Sequence, residues 1–280
     1  DSKNPIWDMI RPHLAAVWDR PIDAIQPPTL GKLLIEGNHL WIAASDMNRY
    51  WGMVVLCMDL DTRALVKFAV GTKPPPRSQP SNRGNSTLSA MCLWGDSVCV
   101  ADTLCGIYIL QPTEKGPGTC RTISEADGLM DFAFRSLAAI GNDLYILSAG
   151  TLQKWNQKTG ELSLVLNMAS HVDTQVLGAN FRPWALAADS SRGQLYMLGQ
   201  FDSDRPPARA NWMPFAHGLF RLEPETGEWL SSSEPFGLGE ISPAGNDSRG
   251  YMIDEVSQTS VVDDRLGINW WNRRTVFDPV

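Results

Sequence analysis

Between Phe134 and Leu166 the chain runs through four short apolar bursts, at 136–140, 144–148, 151–156 and 162–166. Each is too short for a helix and rich in Leu, Ile, Val and aromatics, so each predicts a strand. The breaks between them are Gly141-Asn142-Asp143, Ser148-Ala149-Gly150 and Gln157-Lys158-Thr159-Gly160, all turn-forming. Four strands joined by tight turns make one small antiparallel sheet, and such a sheet cannot bury both faces alone. It needs neighbours of its own kind.

The chain supplies them. An apolar strand, a turn built on Gly-Asn or Gly-Asp, and a second strand recur at Gly37-Asn38-His39-Leu40-Trp41, Gly95-Asp96-Ser97-Val98-Cys99 and Gly141-Asn142-Asp143-Leu144-Tyr145. A looser copy is Arg192-Gly193-Gln194-Leu195-Tyr196. Trp41, Cys99, Tyr145 and Tyr196 follow one another at intervals of 58, 46 and 51 residues. Blades of a β-propeller repeat at roughly 40–50 residues and tolerate loop insertions. A second turn follows each first one, at Asp59-Leu60-Asp61-Thr62-Arg63, Asn156-Gln157-Lys158-Thr159-Gly160 and Glu223-Pro224-Glu225-Thr226-Gly227. Residues 106–124 fill that slot in the second copy. Two signatures recurring in the same order predict units at 31–70, 88–124, 134–166 and 184–232, with a weaker fifth within 241–280.

The expected fold is therefore all-β: a β-propeller of four-stranded blades, five in number or a fragment of a larger ring, over residues 31–280. Residues 1–30 read differently. Ile6, Met9, Ile10, Leu14 and Val17 fall near one helical face, with Pro12 a possible break, and Pro21 and Pro27-Pro28 end the segment. That predicts a short N-terminal helix acting as a cap or linker.

The motif G-N/D-x-L-Y/W followed by D/E/K-T-G resembles the repeats of the broad propeller superfamily that includes two-component-regulator propellers and quinoprotein (PQQ-like) repeats, over about residues 31–232. The resemblance implies a propeller fold and, through the regulator propellers, a sensor role within a longer chain. Quinoprotein blades carry a docking Trp some residues beyond the Thr-Gly. Here Trp229 follows Gly227 too closely and Leu162 stands in the other copy, so no quinone cofactor is expected, nor any other.

Composition narrows the functions. A net charge of −7 argues against a protein that tracks a nucleic-acid backbone. No apolar run reaches the roughly 20 residues of a membrane helix. The chain opens at Asp1 without Met, which fits a processed chain or a piece of a longer one, and this leaves the compartment open. Eleven Trp suit packing between sheets. Of five Cys none forms CxxC, but a hairpin turning at Gly95-Asp96 sets Cys92 opposite Cys99. Those two are either cross-strand disulfide partners or, more commonly for such a pair, two small buried apolar groups.

In a propeller the turns between first and second strands and between third and fourth share one face. The other connections share the opposite face, around the channel mouth. In this chain that second set is long and irregular, at 45–51, 70–87, 124–135, 167–184 and 199–217, and long loops on a rigid scaffold are where binding groups gather. They offer Arg49, Tyr50, Trp51, Asp131, Arg135, His171, Asp173, Arg182, Arg205, Trp212 and His217 as a candidate ligand-binding set. Aromatics with Arg and Asp suit stacking on and hydrogen bonding to a sugar or peptide; the competing reading is that they pack the loops onto the sheets. Metal chemistry finds no pattern. Asp202-Ser203-Asp204 opens like a calcium loop, but Arg205-Pro206-Pro207 stands where further oxygen ligands belong. The four His show no ligand spacing. The favoured function is non-enzymatic recognition or scaffolding of a peptide, protein or carbohydrate, alongside other domains of a longer chain. The alternative is a hydrolase or lyase at the channel mouth with His171 or His217 as acid–base.

Overall fold

In the computed structural model the described residues are 5–17, 19–24, 29–45, 53–71, 88–167, 181–201, 216–225, 256–262, 265–270 and 273–277. They form one helix, α1 (Pro5–Val17), two short 3-10 turns and five antiparallel sheets. The chain divides into two compact units, 1–132 and 133–280.

The first unit holds two four-stranded sheets. One is β1 (Thr29–Glu36), β2 (His39–Ser45), β3 (Met53–Asp59) and β4 (Leu65–Val70); the other is β5 (Leu88–Trp94), β6 (Ser97–Asp102), β7 (Gly106–Gln111) and β8 (Thr119–Ile123). In both, spatial order equals chain order. The sheets stack face to face on Trp41, Val55, Cys57 and Ala69 from one and Leu88, Val98, Val100, Tyr108 and Leu110 from the other. Strands β1 and β5 run side by side. Burial pushes the Cys57 thiol up to about 11, against a smaller opposing pull from Lys67, and raises the Tyr108 hydroxyl further still, with Cys105 hydrogen-bonded to it.

The opposite face of the first sheet is covered by α1. Ile10, Leu14 and Ala15 pack on Ile42, Ala44, Val54, Leu56 and Met58. The helix passes through Pro12 rather than breaking there. Pro12 lies on the exposed side, so the lost backbone bond falls toward water while Ile10 and Leu14, both fully buried, hold the turns on either side.

The second unit holds a four-stranded sheet of β9 (Phe134–Ile140), β10 (Asp143–Ser148), β11 (Thr151–Asn156) and β12 (Leu162–Asn167). Two further sheets are three-stranded among the described residues: β13 (Phe181–Asp189), β14 (Gln194–Phe201) and β15 (Ala216–Leu222), then β16 (Val256–Val262), β17 (Arg265–Trp270) and β18 (Arg273–Phe277). The fifth unit expected from the sequence is thus present, but its first described strand begins at Val256. Tyr145, Leu147, Leu152 and Leu166 pack between sheets on Leu186, Leu195, Met197 and Leu222. Ser136 Oγ donates to the Leu186 carbonyl at 3.4 Å, and Lys154 Nζ meets Glu225 Oε2 at 2.8 Å. First strands again neighbour one another: β9 lies beside β13, and β13 beside β16.

Candidate functional site

Each sheet has two ends, and their chemistry differs. At one end the first-to-second-strand turn is a two-residue turn in three sheets. Glu36 pairs with His39, Trp94 with Ser97, and Ile140 with Asp143. Gly37, Gly95 and Gly141 all sit at φ 55°, with a residue of negative φ after each, which is the type II′ geometry that matches strand twist. A Cβ on these glycines would meet nothing, so backbone conformation alone selects Gly. The fourth copy differs: Asp189 pairs with Gln194 across a four-residue loop. Burial pushes the Asp189 carboxyl up, but the Ser191 hydroxyl, the backbone N–H groups of Ser191 and Arg192 and the Arg192 guanidinium outweigh it and hold it below the usual carboxylate range.

The second turn at this end is bonded to the first. In the first sheet the Asn38 carbonyl accepts from Leu60 N at 2.9 Å, and Asp59 Oδ1 accepts from Thr62 N at 2.7 Å and Thr62 Oγ1 at 2.8 Å. In the third sheet the Asn142 carbonyl accepts from Gln157 N at 2.9 Å, and Asn156 Oδ1 accepts from Lys158 N at 3.0 Å and Thr159 N at 3.1 Å. A side-chain bond closes each pair with opposite polarity. Asn38 Nδ2 donates to Asp59 Oδ2 at 3.0 Å, whereas Asn156 Nδ2 donates to Asp143 Oδ1 at 2.6 Å. The backbone N–H of Thr62, then its hydroxyl, hold Asp59 below the usual carboxylate range. Asn/Asp-x-x-Thr followed by a residue at positive φ is therefore one corner, used twice.

The second sheet departs from this. Its third-to-fourth-strand connection is not short: Thr113 exchanges both backbone hydrogen bonds with Phe68 at 3.0 Å, and Val70 N donates to the Pro117 carbonyl at 3.0 Å. The loop is extended because it pairs with the outer edge of β4, which would otherwise expose its backbone groups. Nor are all connections at the other end long. Residues 102–106 and 148–151 turn tightly, closed by buried polar side chains. Asp102 Oδ1 accepts from Leu104 N at 2.8 Å and Cys105 N at 3.2 Å, and the Ser148 and Thr151 hydroxyls lie 3.0 Å apart.

At that other end stand the candidate ligand-binding residues that the structure describes. Asp131 is half-buried in the segment after the 3-10 turn Glu125–Asp127, which a capping box of Ser124 and Asp127 closes. Arg135 is exposed, one residue into β9. Arg182, one residue into β13, is paired with Gln200 of β14, which pairs in turn with His217 of β15; the counterpart of Arg135 in β13 is Trp184, each skipped by the register at a bulge. Arg182, Gln200 and His217 so occupy one row across three strands, at the end opposite the 190–193 turn. Gln200 was not among the expected residues. The sequence repeats the doublet Phe134-Arg135 and Phe181-Arg182, but only pairing with distant strands puts Arg182 in this row. Arg49, Tyr50, Trp51, His171, Asp173, Arg205 and Trp212 lie outside the described residues. Among the described residues no group of three His, Cys, Asp or Glu is placed to hold a metal ion, and no helix is long and apolar enough to cross a membrane.

No sequence family and no curated protein matches the chain. Solved structures are similar to it at low identity. The extracellular domain of the putative one component system BT4673 from B. thetaiotaomicron is 13% identical, with 90% of this chain and 27% of that one covered at a TM-score of 0.49. A nidogen/laminin complex follows at 10% identity, 86% and 72% coverage and 0.48, and a europium-containing methanol dehydrogenase at 13%, 74% and 42% coverage and 0.42. The chain spans about a quarter of the first of these. Within each unit, strands follow chain order in each sheet, neighbouring sheets stack face to face, and their first strands lie side by side, which is the arrangement of propeller blades. The chain is built of β-propeller blades. In the first and third blades the corner end is closed by its own hydrogen bonds.

Proposed function

We propose that this chain is a non-enzymatic recognition or scaffold propeller that binds a peptide, protein or glycan at the end opposite the corners, as the sensor part of a larger protein. The row of Arg182, Gln200 and His217 carries this reading, with Arg135 exposed near the same end of the neighbouring blade. Arg182 and Gln200 in one row offer groups suited to a polar ligand that accepts planar, bidentate hydrogen bonds. Rigid blades supply the preorganisation, because strand positions at a sheet end move little on binding. Trp51 and Trp212, in the sequence between β2 and β3 and between β14 and β15, are candidates for stacking surface.

Glycan and peptide arrays probed with the whole chain test the reading. A captured ligand should lose about tenfold in affinity, or ~1.4 kcal/mol, in an R182A/H217A double variant, and again in W51A/W212A, with unfolding temperatures near that of the parent. Equal capture by parent and variants would refute the placement. Turnover of a captured oligosaccharide that disappears in H217A would instead make the chain a hydrolase or lyase.

A further inference from the structure

Cys92 and Cys99 face each other across the β5–β6 hairpin. Cys99 is completely buried and Cys92 is 9% exposed, and their thiols are hydrogen-bonded to each other. That hydrogen bond, and then burial, raise the Cys99 thiol well above its usual range, and of the two residues only Cys92 keeps any exposure.

The hairpin register says what kind of disulfide they could form. In a two-residue hairpin the closing pair, here Trp94 and Ser97, exchanges both backbone hydrogen bonds. Pairs then alternate, so Leu93–Val98 does not and Cys92–Cys99 does. Cα atoms of such a pair stand about 5.5 Å apart, inside the range a disulfide bridges. Their Cβ atoms sit near the wide end of roughly 4.5–5.5 Å, against the 3.5–4.5 Å a disulfide needs. The bond is reachable, but closing it draws the strands together by about 1 Å, and strain of this kind makes a disulfide easier to reduce.

We propose that Cys92 and Cys99 are a reversible oxidation site, a cross-strand pair that forms a strained disulfide by exchange with a small disulfide oxidant such as oxidised glutathione. The Cys92 thiolate attacks the oxidant and releases one glutathione thiolate. Cys99 then gives up its proton, to that thiolate or to water, and attacks the Cys92 sulfur of the mixed disulfide, releasing the second glutathione. Two protein thiols are oxidised by two electrons and one glutathione disulfide is reduced to two thiols. Cys57, held protonated within the first unit's core, takes no part.

The whole chain is incubated in glutathione buffers, quenched with acid, denatured and alkylated. Cleavage before Asp96 then separates two peptides that only a Cys92–Cys99 bond can hold together. In excess oxidised glutathione the linked pair should become the main form of both cysteines, and about a tenfold excess of reduced glutathione should release most of it. In C99A the reaction should stop at a glutathione adduct on Cys92. Full alkylation of both cysteines after oxidation would overturn the proposal. Pairing of Cys99 with Cys105 or Cys120 would do so too, as would a link that survives the reduced buffer. A C99A chain without an adduct at Cys92 would overturn the order of attack.

Discussion

The corner of the third blade depends on one side chain with three partners, and changing it by a single atom is a sensitive probe. Asn156 Oδ1 accepts from Lys158 N and Thr159 N, while Nδ2 donates to Asp143 Oδ1 at 2.6 Å. Asn156→Asp keeps the acceptor and loses the donor. It also sets two carboxylates against each other where a hydrogen bond to a charged group had been. Such a bond is worth about 1.5–3 kcal/mol net in a half-buried site, and repulsion adds to its loss. The expected cost is about 2–3 kcal/mol, a fall of roughly 5–10 °C in unfolding temperature for a domain of this size. In the first blade the carboxylate is on the third-strand residue, Asp59, and the amide donor is Asn38, one place before the counterpart of Asp143. N156D/D143N exchanges the polarity of the pair and should return to within about 1 kcal/mol of the parent, giving a coupling energy above ~1.5 kcal/mol in a double-mutant cycle. Denaturant melts of the four proteins at neutral pH provide the measurement. The N156D deficit should also shrink on acidification toward pH ~4, as one carboxyl takes a proton and becomes the missing donor. A double variant no more stable than N156D, or a deficit indifferent to pH, would refute the account of the corner.

Two further expectations concern the same end of the blades. Arg63 holds φ 59° where the third blade has Gly160 at φ 70°. Arg63→Gly should stabilise by about 0.5–1 kcal/mol, the left-handed penalty of a side chain less the extra chain entropy of Gly, and a melt showing no gain would place Arg63 in contacts that offset its strain. Asp189 is 2% exposed and its carboxyl is held below the usual range. A depressed carboxylate contributes stability that is complete above its unfolded value near pH 3.9 and is lost as pH falls through the folded value. Acid unfolding below pH ~4 should therefore be shallower in Asp189→Asn, which should also cost about 1–3 kcal/mol at neutral pH; an unchanged acid limb would remove Asp189 from the titration.

What the sequence determined by itself is the part encoded within four or five consecutive residues. Gly37, Gly95 and Gly141 need positive φ, and Asp59 and Asn156 cap the backbone of their own turns, so hairpin positions and blade order were legible from local chemistry. Alternation set the strands between them, and the opposed register of Cys92 and Cys99 followed from the length of one turn. Tertiary structure decided everything that joins distant residues. The bond from Leu60 to Asn38, the clasp of Thr113 on Phe68, and the row from Arg182 through Gln200 to His217 each depend on strand pairing over long separations. No local preference encodes such pairing, because its energy exists only once both strands are in place. Pro12 makes the same point inside α1: alone it argues for a broken helix, and burial of Ile10 and Leu14 against the first blade overrides it.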